Sequence, residues 1–130
     1  MKNLFTFLLM AILAIGYSHA TTEIIDFSTQ GYTNAQKVTN LKGKNCTITF
    51  RDGSPECAYY NTGKAVRIYG GGSVQITSNL AITKVVYTFS GTSYAPTKDN
   101  CTITPSTGKA TYQESTLTWT GSTQSLEIKN

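Results

Sequence analysis

From residue 23 onward, apolar and polar residues alternate with a period of two in one short segment after another. Cys46, Ile48 and Phe50 fall on one side and Thr47, Thr49 and Arg51 on the other. That is the pattern of a strand with one face in a core. Residues 65–69 repeat it, with Val66 and Ile68 inward and Arg67 and Tyr69 outward. Residues 73–78 place Val74 and Ile76 inward, and residues 82–90 form the most apolar segment, a central strand. Residues 116–120 put Leu117 and Trp119 on one side, and residues 125–129 turn Leu126 and Ile128 inward. Residues 23–27 make a first strand and residues 109–112 a weaker one.

Turn residues separate these segments: Asp52-Gly53, Thr62-Gly63, Gly70-Gly71-Gly72, Ser90-Gly91, Gly108 and Thr120-Gly121. Glycine reaches positive φ without steric cost, so the triplet is expected to close a hairpin between residues 65–69 and 73–78. A second hairpin is expected around residues 52–55, joining 46–51 to 56–60 and setting Phe50 opposite Cys57. The longer connections are residues 31–43 and 93–100. No segment sustains a 3.6-residue apolar period. Short strands at such spacing predict an all-β fold: one antiparallel β-sandwich, jelly-roll-like, in a single domain.

Residues 1–20 depart from this pattern. Lys2 precedes a nearly unbroken apolar run over residues 4–15, and Ser18-His19-Ala20 supplies the small residues a signal peptidase reads. The expectation is a signal peptide over residues 1–20 and a β-sandwich domain over 21–130. The product is then secreted, periplasmic or at the cell surface. The run is too short to span a bilayer, which takes roughly 20 apolar residues. No lipoprotein cysteine follows it.

Cleavage carries off Lys2 and His19. The 11 basic residues fall to 10 against 7 acidic ones, a net charge of +3, and no histidine is left. The lysines are scattered, unlike the concentrated basic stripe of a nucleic-acid site. Histidine-dependent nucleophiles, acid–base pairs and metal sites drop out. In an oxidising compartment the three cysteines allow one disulfide, with Cys46–Cys101 or Cys57–Cys101 preferred, or act as small buried apolar residues. Asn45-Cys46-Thr47 and Asn100-Cys101-Thr102 match the glycosylation sequon.

Of the carboxylates, Asp52 and Glu56 share one loop and are the candidate pair for glycan hydrolysis, against a plainer reading as turn and solvated-loop residues. Asp26 is a weak candidate ligand for a structural calcium, and no other metal or cofactor is indicated. Tyrosine combines a flat ring with a polar edge and so suits sugar faces. Tyr59, Tyr60 and Tyr69, with Arg67 beside them, are the candidate ligand contacts. Tyr32, Tyr94 and Tyr112 also lie at loops or strand ends.

The strings Cys46-Thr-Ile-Thr-Phe50, Ala58-Tyr-Tyr-Asn-Thr-Gly63 and Ala65-Val-Arg-Ile-Tyr69, followed by residues 73–77, 82–91 and 119–121, resemble a small β-sandwich module of secreted and surface proteins of Bacteroidota. The resemblance covers most of residues 23–128. It implies an accessory, jelly-roll-like domain of uncharacterised function, often appended to hydrolases, nucleases or adhesin-like repeats, with no catalytic residues to carry over. Members run on for one more strand after the Trp-Thr-Gly segment. The expectation is therefore either a short stand-alone variant or a fragment whose open edge invites pairing.

Together these readings point to a secreted, non-catalytic module that binds carbohydrate or another surface ligand, such as a surface protein. The rivals are a structural or interaction protein assembling by edge-strand pairing, and a small glycan-processing enzyme. Oligomeric state is not legible.

Overall fold

The computed structural model describes residues 8–15 and 19–130, with side chains from residue 21 onward. The leader expected over residues 1–20 lies partly outside the described residues, Lys2 and Ser18 included. Eleven strands are described: β1 (Leu8–Ile15), β2 (His19–Asp26), β3 (Gln36–Lys37), β4 (Asn40–Lys42), β5 (Thr47–Arg51), β6 (Ala58–Tyr60), β7 (Ala65–Arg67), β8 (Ser73–Thr88), β9 (Thr102–Thr104), β10 (Lys109–Gln113) and β11 (Thr116–Lys129). All their pairings are antiparallel. Two sheets pack face to face, and the fold is the expected all-β sandwich.

The small sheet is β3-β6-β7 and the large one holds the other eight strands. Long strands β8 and β11 form the spine of the large sheet. Residues 73–77 of β8 sit between β5 and β11, with β4 and β9 beyond, while residues 82–88 sit between β11 and β1, with β10 and β2 beyond.

The period-two faces fall as read: Cys46, Ile48, Phe50, Val74, Ile76, Leu117, Trp119, Leu126 and Ile128 are all buried. Each large aliphatic or aromatic side chain so buried contributes roughly 1.5–3 kcal/mol. Trp119 keeps its indole N–H satisfied by donating to the Thr107 carbonyl at 3.3 Å.

Connectivity differs from the expectation in three places. Residues 46–51 and 56–60 do not form a hairpin. β5 pairs with β4 and β8, placing Phe50 opposite Val74, and β6 pairs with β3 and β7 in the other sheet. The glycine triplet is likewise a crossing between sheets, from β7 to β8. Gly71 adopts φ +86° there and donates to the Asn130 carbonyl at 2.9 Å. Third, the segments 73–78 and 82–90 fall in one strand, which ends at Thr88, and 116–120 and 125–129 likewise share one strand. Side chains absorb the break in each ladder. The Ser78 hydroxyl donates to the Asn45 carbonyl and accepts from Leu80 N–H, and the Thr123 hydroxyl accepts from Ser125 N–H. The strands run on there without reversing, and their register shifts between Thr120 and Ser125. Strands β3, β4 and β9 occupy segments with no clear alternation in sequence.

Candidate functional site

The antiparallel β6–β7 pair aligns Ala58 with Arg67, Tyr59 with Val66 and Tyr60 with Ala65. Facing residues share a side of the sheet, so Tyr59 goes with Val66, which is fully buried. Tyr59 is 5% exposed, and its ring lies 5.6 Å from that of Tyr32. It is a core residue, and this corrects its assignment as a ligand contact. Tyr69 lies beyond the end of β7 and is 7% exposed, so it too is withdrawn from direct contact. Its hydroxyl instead supports Tyr60: hydrogen bonding with Tyr69 and burial raise the Tyr60 pKa.

Tyr60 and Arg67 do come together. The Arg67 guanidinium carbon stands 3.9 Å from the Tyr60 ring centroid, within cation–π range. Both line an open concavity of about 150 Å³ together with Thr62, Gly63, Ala65, Ser90 and Tyr94. Tyr94 ends a short 3-10 turn (Thr92–Tyr94) and is 41% exposed. Its loop position has no periodic signal. A flat ring, a planar cation and a second tyrosine around one shallow concavity can stack on a ring and hydrogen-bond its substituents.

The remaining candidates are committed elsewhere. Lys37 Nζ lies 2.8 Å from both Asp52 Oδ2 and Glu56 Oε2. The Lys37 pairing, then the Cys57 backbone N–H at 2.9 Å, hold the Asp52 carboxyl below its ordinary pKa. The general acid of a glycosidase needs its pKa raised. Asp52 is shifted the other way, and both carboxylates pair with the Lys37 ammonium. Asp26 caps a 3-10 turn (Phe27–Thr29), its Oδ1 accepting from the Ser28 backbone at 2.8 Å and the Ser28 hydroxyl at 2.7 Å. Among the described residues no group of three His, Cys, Asp or Glu side chains converges around it as a metal site would. The calcium assignment therefore finds a lone carboxylate already engaged in a turn.

The three cysteines are free thiols. The sheet register explains why Cys46 and Cys101 do not bridge. The strands they precede, β5 and β9, are separated by β8 and β11, three strand spacings or roughly 14 Å. Cα atoms in a disulfide lie about 4.4–6.8 Å apart. Cys57, whose thiol donates to the Arg51 carbonyl at 3.5 Å, is on the β5 side of the same gap from Cys101. Burial first, then the Glu23 charge, push Cys46 up to about 12; burial and Asp52 push Cys57 up to about 11. Neither supplies a thiolate nucleophile at neutral pH.

Glu23 has a role the sequence did not reveal. Its carboxylate accepts the backbone N–H groups of Lys44 and Asn45, the latter at 2.9 Å, and the Cys46 thiol at 3.6 Å. Strand β2 is thereby tied to the turn between β4 and β5.

No protein-family model, curated protein or solved structure matches the chain. No helix among the described residues is long and apolar enough to cross a membrane.

Proposed function

We propose that this is a secreted, non-catalytic β-sandwich module, with residues 1–20 as its leader, that binds a carbohydrate or similar surface ligand. Its likeness to the accessory modules of Bacteroidota surface proteins belongs to the same proposal. The contacts are Tyr60, Arg67 and Tyr94. The observation carrying this reading is the Arg67 guanidinium over the Tyr60 ring, beside Tyr94, at the rim of one concavity. A sugar ring stacks through its C–H face on Tyr94 while its hydroxyls or a carboxylate meet Arg67. Asp52 and Glu56 take no part.

The test is a glycan array probed with the wild-type chain and with Tyr60→Ala, Arg67→Ala and Tyr94→Ala. Each loss of an anchoring side chain is expected to weaken binding about tenfold or more. Binding to no glycan, or binding indifferent to all three substitutions, rejects this site.

A further inference from the structure

Strand β1 is antiparallel to both of its neighbours, so β2 and β8 run parallel to each other and are joined through it. If residues 1–20 leave as a leader, a gap one strand wide opens between them, about 10 Å from β2 to β8. Both rims then present unpaired backbone N–H and C=O groups. The inward residues of the β8 rim are apolar, Ile82, Val85 and Tyr87 being fully buried, and on the β2 rim Ile25 is nearly so, with Glu23 and Thr21 at its other inward positions. The rim formed by β2 has its own anchors. Glu23 is bound by the Lys44 and Asn45 backbone, and Phe27 packs edge-on against Phe50 at 5.7 Å between centroids. These contacts tie β2 and the residue after it to β5 and the turn before it, apart from the pairing with β1.

We propose that the mature chain accepts an extended apolar strand from a second protein into this slot, antiparallel to β8. The inference rests on the leader reading above. Only a peptide backbone can satisfy two rims of ladder groups at once, which is the chemistry of strand addition. The register of β1 states what the incoming strand must look like. Leu9 stands opposite Tyr87 and Ile25, Ala11 opposite Val85 and Glu23, and Leu13 opposite Ile82 and Thr21, so the apolar neighbours of the incoming strand come mainly from β8. The donor therefore needs at least about six extended residues with apolar side chains at these three alternate positions. The intervening positions, opposite Thr88, Val86 and Lys84, are free to be polar.

The experiment secretes the full precursor, measures the intact mass of the released chain, and titrates that chain with three synthetic peptides. The first carries the sequence of residues 8–15 between paired lysines. The second carries Leu9→Asp, Ala11→Asp and Leu13→Asp, and the third Met10→Thr, Ile12→Thr and Ala14→Thr. The expected released chain begins at Thr21, binds the first and third peptides one-to-one, and gains about 5 °C in Tm. The second peptide is expected to bind at least about 100-fold more weakly. A released chain that still contains residues 8–15 overturns the leader reading and with it a vacant slot. A chain that begins at Thr21 and binds no peptide, or binds all three alike, overturns strand acceptance alone.

Discussion

Residues 73–77 of β8 lie between β5 and β11, while residues 82–88 of the same strand lie between β11 and β1. Both halves bury their inward side chains completely or nearly so: Val74 and Ile76 in the first, Ile82, Val85 and Tyr87 in the second. Burial alone would rate them equally stable. Their neighbours do not. The first half is closed by β5 and β11, and the second is closed on one side by residues 8–15, the segment proposed above to leave with the leader. Stability is a local property set by which partners persist. On the leader proposal, a single strand holds both a permanent and a conditional part of the sheet.

Matched substitutions break or sharpen this comparison most strongly. Ile76→Ala and Ile82→Ala remove the same atoms from fully buried sites, one in each half. In the full chain each is expected to cost about 2–5 kcal/mol. In a chain starting at Thr21 the Ile76 cost should persist, whereas the Ile82 cost should fall by at least about half, because a site already loosened can relax around the lost atoms. Urea unfolding of the four proteins measures this. Equal costs in both backgrounds would erase the distinction between the halves.

A smaller effect tests the register shift that separates them. A Cβ added at Gly121 would stand 2.6 Å from the Trp119 ring, in the part of β11 where its register with β8 shifts. Gly121→Ala is expected to destabilise by about 1–3 kcal/mol, read as a shift in urea midpoint with unchanged slope.

The smallest effect comes from acid, at the crossing between the sheets. Lys37 holds the Asp52 carboxyl below its ordinary value. The folded state therefore releases this proton more readily than the unfolded chain. The stabilisation is fully present above about pH 4 and is lost as pH falls through the lowered folded value. Lys37→Met should reduce the loss of stability between pH 5 and pH 2, measured by thermal unfolding at each pH, without altering the relative protection of the two β8 halves. The pair is exposed, so the effect is slight.

What the sequence disclosed follows from the same contrast between local and distant partners. The faces of β5 and of both ends of β11 were legible because a one-sided core imposes period two over five or more residues. The destinations of the strands were not. Asp52-Gly53 and the glycine triplet announce a change of direction, but turn chemistry does not say which sheet the chain enters next. Tyr59 and Tyr60 are adjacent in a three-residue strand, too short to show which face is buried, and the core took Tyr59. Tyr94 sits in a loop and joins Tyr60 and Arg67 only through the folding of distant segments. Glu23 has the look of a solvent-side strand residue, and its backbone partners lie at Lys44 and Asn45. The outward position of Arg67 on its strand was legible from the alternation alone.

The most direct test of the two-halved strand is amide hydrogen exchange on the chain starting at Thr21, with and without the peptide carrying the sequence of residues 8–15. Without peptide, amides in residues 82–88 should exchange at least about tenfold faster than those in residues 73–77. Saturating peptide should slow exchange in residues 82–88 and leave 73–77 unchanged. Equal protection in both halves, or no response to the peptide, would contradict a strand whose second half waits for a partner.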